Sequence, residues 1–398
     1  MARPVRNGPS EDWNDMTRIT AVRARAICVP LDAPTSLSSR LVTDRHYGVV
    51  EIECDDGHAG IGFCYVGTAG GRMFAEAVHA VLAPMLIGQD PYRVEGLSQE
   101  LYQEALLQGR AGVVVRAISS LDTALWDRNA RAAGLPLYKF LGAVHCDRVP
   151  AYASGGYYQD GKGPVQLAEE MARYVRDGFT AVKMKVGKGT LKEEEARVAT
   201  VRECIGYDVT LMLDANNAWS DFPTARGFVR MYEKYDPYFI EEPFGPDDIA
   251  NHVRLARATG IPVATGEIEV GRWRFKELLG QGAAAMLQPD ACVCGGVSEF
   301  RRIVATAASF GVTVLPHWFH DLHVHLVAST PNARYVEFFP DDQILNFRRL
   351  VDTQLEARDG HLVLPQRPGL GFRFIEGALE RYALTPWLVA RQGLGMAA

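Results

Sequence analysis

The chain has 398 residues, of which 47% are hydrophobic and 23% charged, a composition that argues against disorder and for a globular protein. Its net charge of −6 gives no reason to expect a nucleic acid or an anionic membrane surface as partner, and no apolar run approaches the roughly 20 residues that span a bilayer. Seven scattered cysteines, an odd number without zinc-site spacing, are expected to be reduced in a cytoplasmic protein.

The N-terminal part of the chain predicts a flexible tail followed by an α+β unit over residues 18–145. Residues 1–17 are polar, with Pro and Gly, and lack the apolar core of a secretory signal. Strands first and helices after are typical of an α+β unit, here with a long polar loop over residues 30–46 between the first two strands. The strands are predicted at residues 19–29, 47–54 and 60–65, and the helices at 74–86, 92–107 and 113–133.

A repeating pattern of apolar run, polar residue and helix occupies residues 146–365 and predicts an α/β fold of the (β/α)8 TIM-barrel type. The polar residues recur every 20–27 positions, close to the roughly 25–30 residues that a strand, a helix and their loops fill. Such a barrel carries its active site at the C-terminal ends of its strands. Residues 366–398 are expected to fold back on the first unit. The polar residues are Asp214, Glu241, Glu267, Asp290, His317 and Glu337.

Two lysines in the predicted strand Ala-Val-Lys-Met-Lys-Val indicate proton-transfer chemistry. Side chains alternate along a strand, so Lys183 and Lys185 point the same way. Burial and a neighbouring like charge both disfavour a protonated lysine. We therefore expect one of the two to lose its proton and act as a base near neutral pH.

Three acids on consecutive predicted strands, Asp214, Glu241 and Glu267, indicate a metal site. Each acid alone could cap a helix or pair with a surface base, but together they would repel one another without a cation. Oxygen ligands without Cys or His favour a hard cation, with Mg²⁺ ahead of Mn²⁺.

Asp290 and His317 occupy the next two predicted strand ends. A carboxylate bonded to one imidazole nitrogen fixes the tautomer and supports a proton on the other. A Pro-His pair is by itself more often structural, but opposite the lysines it predicts a second acid/base group.

The chain resembles the enolase superfamily, mandelate racemase subgroup, over nearly its whole length, and within it the acid-sugar dehydratases, including those acting on aldarates. No single motif is specific, but their order and spacing are. The matching pieces are Lys183-Met-Lys185, Asp214-Ala-Asn216, Ile240-Glu-Glu-Pro243, Gly266-Glu267, Gln288-Pro-Asp290 and Pro316-His317.

The resemblance implies the fold and the roles of the site residues. The barrel would be a modified (β/α)7β barrel, residues 18–145 would be its capping domain, and one Mg²⁺ would be bound by Asp214, Glu241 and Glu267. Lys185 would be the base on one substrate face, Lys183 would lower its pKa or touch the substrate carboxylate, and His317 with Asp290 would act on the other face. Glu337 would donate a hydrogen bond to the substrate carboxylate. Expected substrate-binding residues are Asn216, Tyr65, Arg40, Arg45, His46 and His320.

The expected function is that of a Mg²⁺-dependent hydro-lyase that removes the proton α to a carboxylate of a sugar acid, possibly an aldarate. The proton is very weakly acidic because its removal builds an enediolate, and loss of the β-hydroxyl then gives a 2-keto-3-deoxy acid. One alternative is a racemase or epimerase of a 2-hydroxy acid using the same residues. Another is a non-catalytic scaffold or binding protein, which would be free to lose a base or a ligand. A homo-oligomer is expected, without nucleic-acid or membrane partners.

Overall fold

The structure is a computed structural model that describes residues 17–340 and 343–392. Nearly all of the predicted N-terminal tail, residues 1–16, therefore lies outside the described residues. None of the helices in the described ranges combines the length and apolar character needed to span a membrane. All seven cysteines are free.

The first unit begins with three antiparallel strands, β1 (Ile19–Ser36), β2 (Leu41–Cys54) and β3 (Ala59–Tyr65). The prediction of a long loop over residues 30–46 was wrong. Backbone pairing continues beyond the apolar part of the strands, from Pro30 opposite Asp44 to Ser36 opposite Leu41 with one register shift. Only four residues, 37–40, connect the two strands. The strands extend beyond their apolar part because strand pairing depends on backbone hydrogen bonds as well as on apolar side chains.

Helices cover one side of this sheet. The longest, predicted at residues 113–133, packs so closely on β3 that a Cβ added to Gly62 would lie 1.9 Å from the carbonyl oxygen of Ser120. Glycine at this position therefore permits the contact between helix and sheet. The helices are α1 (Gly71–Glu76), which continues through a π-helical segment (Ala77–Leu82) into α2 (Ala83–Leu86), then α3 (Val94–Ala105), α4 (Val113–Ala132) and α5 (Leu137–Phe140).

The second unit is a closed barrel of eight parallel strands. Its strands are β4 (Arg148–Ser154), β5 (Ala181–Lys185), β6 (Thr210–Asp214), β7 (Ile240–Glu241), β8 (Val263–Thr265), β9 (Met286–Leu287), β10 (Thr313–Val314) and β11 (Val336–Phe338). Between them lie α6 (Pro164–Arg176), α7 (Leu191–Ile205), α8 (Phe222–Tyr232), α9 (Ile249–Ala258), α10 (Gly271–Gln281), α11 (Gly296–Ser309) and α12 (His320–Ala328).

The barrel closes where β4 pairs with both β5 and β11, and a bridge between Val314 and Ala333 joins β10 to the approach to β11. In the described residues β11 leads into a short 3-10 helix, Asn346–Leu350, rather than an α-helix. Seven strand–helix pairs and a last strand make a (β/α)7β barrel, which confirms the predicted fold class.

Alternation along the strands separates the barrel core from the site. Buried side chains that point inward fill the barrel, and the inward residues two positions further along β5, β6 and β7 are Lys183, Asp214 and Glu241. The polar residues therefore lie directly above an apolar layer. That layer consists of Tyr152, Ala181, Met212, Phe239, Ala264 and Leu315.

The C-terminal segment returns to the first unit. After β12 (Ala357–Arg358) and β13 (His361–Val363), which pairs with β4, the chain forms α13 (Glu376–Arg381) and β14 (Leu388–Arg391). The last strand pairs antiparallel with β1, and the first sheet has the order β14-β1-β2-β3.

Candidate active site

Three carboxylates meet at the mouth of the barrel. Asp214 and Glu241 lie opposite each other on paired strands and are fully buried, and Glu267 follows β8. One oxygen of each acid lies within 4.8 Å of the others. Glu241 Oε1 and Glu267 Oε2 are buried without a hydrogen-bond partner. Hard oxygen donors with unused lone pairs fit Mg²⁺.

Both lysines of β5 are buried beside these acids. Lys183 Nζ lies 2.7 Å from Glu241 Oε2 and 2.7 Å from Glu337 Oε1, and Lys185 Nζ contacts Asp214 Oδ2. Burial alone would lower both lysine pKa values, but the carboxylates outweigh it and raise them. Without a cation, the adjacent carboxylates therefore keep both lysines protonated, an effect that the expectation from desolvation and lysine–lysine repulsion left out. A divalent cation on the same carboxylates would offset their charge and weaken this stabilisation.

His317 lies on the other side of the acids. Its Nδ1 is 3.1 Å from Asp290 Oδ2 and its Nε2 is 3.5 Å from Glu267 Oε2. Burial alone would lower the imidazole pKa, but Glu267 and Asp290 raise the pKa of His317 to about 9. An Nδ1–H that donates to Asp290 directs Nε2 towards the centre of the site.

Glu337 is held as a hydrogen-bond acceptor. The Ser154 hydroxyl donates at 2.7 Å and the Trp318 backbone N–H at 2.8 Å, and Lys183 pairs with the same carboxylate. Burial would raise the pKa of Glu337, but the Lys183 and His317 cations hold it well below its usual range. The structure thus differs from the expectation of a protonated Glu337 that donates to substrate.

The connection between β1 and β2 contacts the barrel beside Asn216. The Ser38 hydroxyl donates to the Ala215 carbonyl at 2.6 Å and lies 3.0 Å from the Asn216 carbonyl, to which Ser39 donates at 3.2 Å. Asn216 has φ of 45° and is 5% exposed, and its side-chain Oδ1 is buried without a partner. An unused acceptor at this position suits contact with a polar substrate. The sequence did not predict the two serines as site residues, because nothing in a polar loop indicates which hydroxyl groups contact the barrel.

Arg45 and Tyr65 come together on Trp318, which follows His317. The Arg45 guanidinium lies 4.5 Å from the Trp318 ring centroid and 5.2 Å from that of Tyr65. Trp318 also stacks on His317 at 5.5 Å. Its φ of 65° is unusual for a bulky residue, and strain of this kind is typical of functional sites. Sequence reasoning missed Trp318, although its position after the predicted acid/base histidine was an available signal.

The other predicted substrate-binding residues are placed differently. Arg40 is exposed in the tight connection next to the two serines. His46 lies on the face of β2 opposite Arg45, where its Nδ1 accepts the Gly71 N–H at 3.4 Å. His320 is 1% exposed and packs on Phe338 at 4.8 Å, and burial lowers its pKa. Strand alternation therefore places His46 on the sheet face opposite Arg45, whereas His320, at the start of α12, lies near enough to Glu337 for that carboxylate to affect its pKa.

The barrel mouth holds three acids suited to a hard cation, with a lysine pair on one side and an Asp–His pair on the other. This arrangement is typical of a metal-dependent barrel enzyme. Residues 166–378 match the family model "Enolase C-terminal domain-like", and residues 19–142 match "Mandelate racemase / muconate lactonizing enzyme, N-terminal domain". The chain belongs to this family, within the enolase superfamily, and is an enzyme, a lyase or an isomerase.

Curated relatives and solved structures agree with this assignment. The chain is 36% identical over 377 residues to L-talarate/galactarate dehydratase of Salmonella typhimurium, covering 92% of each chain. The crystal structure of that enzyme superposes with a TM-score of 0.89 at 32% identity, covering 98% of both chains. The chain is also 36% identical to D-galactarolactone cycloisomerase of Agrobacterium fabrum, covering 92% of this chain and 99% of the relative. L-talarate dehydratase from Polaromonas, solved with Mg and L-glucarate, gives a TM-score of 0.87 at 34% identity, covering 94% of this chain and 99% of that one.

Proposed function

We propose that the protein is a Mg²⁺-dependent dehydratase of a sugar acid. The observation that carries the proposal is that Lys185 and His317 flank the three carboxylates that fit the cation. Relatives named as dehydratases of talarate/galactarate, arabinonate and galactonate support the reaction class.

The reaction has two steps, removal of the α-proton and loss of the β-hydroxyl group as water, and different residues carry out each step. Lys185, in its neutral form, takes the proton α to the substrate carboxylate, and the Lys183 ammonium group stabilises the negative charge of the enediolate. Bound Mg²⁺ would supply a Lewis acid for the same carboxylate. His317, held protonated by its carboxylate neighbours, gives its Nε2 proton to the departing β-hydroxyl, which leaves as water. The enol product becomes a 2-keto-3-deoxy acid.

Asp290 and Glu337 position the reacting groups. Asp290 accepts from His317 Nδ1 and is itself held by the Cys292 backbone N–H at 2.8 Å. Glu337 places the Lys183 ammonium on the substrate-carboxylate side. Arg45 is the group that suits a second carboxylate, which favours a diacid, although its Nε already donates to the Ile344 carbonyl.

A second candidate is an isomerase with the same groups. Proton carriers on both substrate faces also permit racemisation or epimerisation, and two relatives are named cycloisomerases. A non-catalytic scaffold is disfavoured because each predicted acid, base and ligand is present. We further propose a cytoplasmic homo-oligomer; the free cysteines support the compartment.

One screen separates the candidates. The protein is incubated with a library of mono- and dicarboxylic sugar acids, Mg²⁺ and D₂O. A 2-keto acid product with a deuterium label supports dehydration, whereas deuterium in recovered substrate without keto acid supports racemisation. Neither product from any member of a library that includes diacids and their lactones would contradict the proposal. Lys185→Ala and His317→Ala should each remove turnover of the substrate found.

A further inference from the structure

Three potential metal ligands lie on the first sheet, on the opposite face of β2 from Arg45. Cys28 of β1 lies directly opposite His46 of β2, and Asp44 precedes His46 by two residues. Cross-strand neighbours and residues two apart share one face of a sheet. The ligand atoms of Cys28, Asp44 and His46 all lie within 4.8 Å of one another.

Asp44 and His46 each offer an atom to an ion, and the Cys28 sulfur lies beside them. Asp44 Oδ2 accepts the Thr43 hydroxyl at 2.8 Å, whereas Oδ1 is buried without a hydrogen-bond partner and lies 3.6 Å from His46 Nε2. Burial lowers the pKa of His46, Asp44 opposes this effect and Arg72 adds to it, and a lowered pKa favours the neutral imidazole that binds a metal. All three residues are partly exposed, which leaves a path for an ion from solvent.

The three ligand atoms of this cluster favour a different metal from the one that suits the barrel carboxylates. Three carboxylate oxygens suit Mg²⁺, whereas one sulfur, one imidazole nitrogen and one carboxylate oxygen suit a borderline ion such as Zn²⁺. Ligand atoms around tetrahedral zinc lie roughly 3.5 Å apart, so small side-chain rotations suffice. We propose that Cys28, Asp44 and His46 form a second metal site that binds Zn²⁺ with water as the fourth ligand.

Binding changes the protonation of two ligands. Burial and Asp44 raise the pKa of the Cys28 thiol, so the ion must displace its proton, and affinity rises with pH. Coordination through Nε2 places the ring proton of His46 on Nδ1, which gives up the 3.4 Å hydrogen bond from the Gly71 N–H. A thiolate and a carboxylate balance the charge of the dication, and Arg72 is a cation whose charge acts on the imidazole.

Cobalt titration of the full-length protein in excess Mg²⁺ tests the site. A thiolate-to-cobalt charge-transfer band should appear and be bleached by Zn²⁺, because the barrel site has no sulfur ligand. Cys28→Ser should abolish the band and His46→Gln should weaken Co²⁺ binding at least about tenfold. Cys146→Ser, at an exposed cysteine, is the matched control and should keep the band.

Two results overturn the proposal: no band in the wild-type protein, or a band that survives Cys28→Ser, which would point to Cys292 and Cys294 instead. If Cys28→Ser does not fold, peptide mapping of the wild type after alkylation replaces it. Zn²⁺ should protect Cys28 from alkylation and leave Cys146 reactive, and equal labelling of Cys28 with and without Zn²⁺ would refute the site.

Discussion

At the scale of single residues, the barrel mouth is a dense group of charges in which each side chain influences the pKa values of its neighbours. The carboxylates of Asp214, Glu241 and Glu337 contact the Lys183 and Lys185 ammonium groups, all of them buried. Removing one charge therefore leaves a buried partner uncompensated. Substitutions here should change ion binding and catalysis together.

Asp214→Asn tests the cation. The amide keeps the shape but removes a charge that would bind the ion, so Mg²⁺ affinity should fall and turnover should drop by about a thousandfold or more. The measurement is Mg²⁺ titration calorimetry with steady-state kinetics, and circular dichroism checks the fold. Turnover that persists in excess EDTA would contradict the metal role.

Asp290→Asn tests the histidine pair. Asp290 contributes to the raised pKa of His317, about 9, so its loss should lower that pKa. Because His317 must be protonated to act as the acid, the alkaline fall in activity should move to lower pH, and kcat should decrease by about 100-fold. The measurement is a pH–rate profile. Asp221→Asn, at the N-cap of α8, is the control and should match the wild type.

At the scale of elements, α4 and α11 are joined by one buried carboxyl group. Asp122 accepts the Ser298 hydroxyl at 2.6 Å and the Ser298 backbone N–H at 2.9 Å, in the first turn of α11. A Cβ at Gly296 would lie 2.4 Å from Asp122 Oδ2, so the two helices approach as closely as glycine allows. The contact links the first unit to the barrel.

Asp122→Asn should change how stability depends on pH. Burial raises the pKa of Asp122 to about 7 against the hydrogen bonds from Ser298. The native state therefore holds an extra proton between about pH 4 and 7, and the free energy of unfolding falls as pH rises through this window, by up to about 4 kcal/mol. The variant cannot titrate at this position, so its free energy of unfolding should not fall in this way. Measured by denaturant titration, its stability relative to wild type should therefore rise from pH 4 to 8. Parallel curves for the two proteins would contradict the prediction.

Sequence patterns predicted the elements well where one face is apolar. Helix α4 was predicted at residues 113–133 and spans Val113–Ala132, because its buried face recurs at helical spacing. The β1–β2 pairing was underestimated, because residues 30–36 lack an alternating apolar pattern although Pro30, Thr35 and Ser36 lie opposite residues of β2. In the site, strand periodicity located the acids and lysines. The carboxylates that keep those lysines protonated come from other strands, and Ser38, Ser39 and Trp318 reach the site through tertiary packing. No local sequence pattern encodes these contacts.

At the scale of the whole molecule, the last strand completes the first sheet. Trp387, next to β14, lies under two guanidinium groups, at 4.7 Å from Arg23 and 4.9 Å from Arg25, and its indole N–H donates to Glu376 at 2.9 Å. The pairing of β14 with β1 covers an edge that would otherwise be free to pair with other chains.

Trp387→Ala should loosen this closure. Loss of the apolar contact and of two cation–π interactions is expected to lower the free energy of unfolding by about 1–3 kcal/mol. The measurement is chemical denaturation followed by far-ultraviolet circular dichroism. Leu107→Ala, at a side chain that is 90% exposed, is the control and should change the midpoint little. An unchanged midpoint for Trp387→Ala would show that the tryptophan is not part of the closure.

The return of the chain end to its beginning sets the order of events on the ribosome. β1 ends at Ser36, whereas its outer neighbour β14 starts at Leu388. At translation speeds of 5–20 residues per second, roughly 20–70 s pass between the emergence of the two strands. The barrel is synthesised in that interval, so the N-terminal domain is finished after the C-terminal one, and a nascent chain carries an unprotected strand edge for almost its entire synthesis.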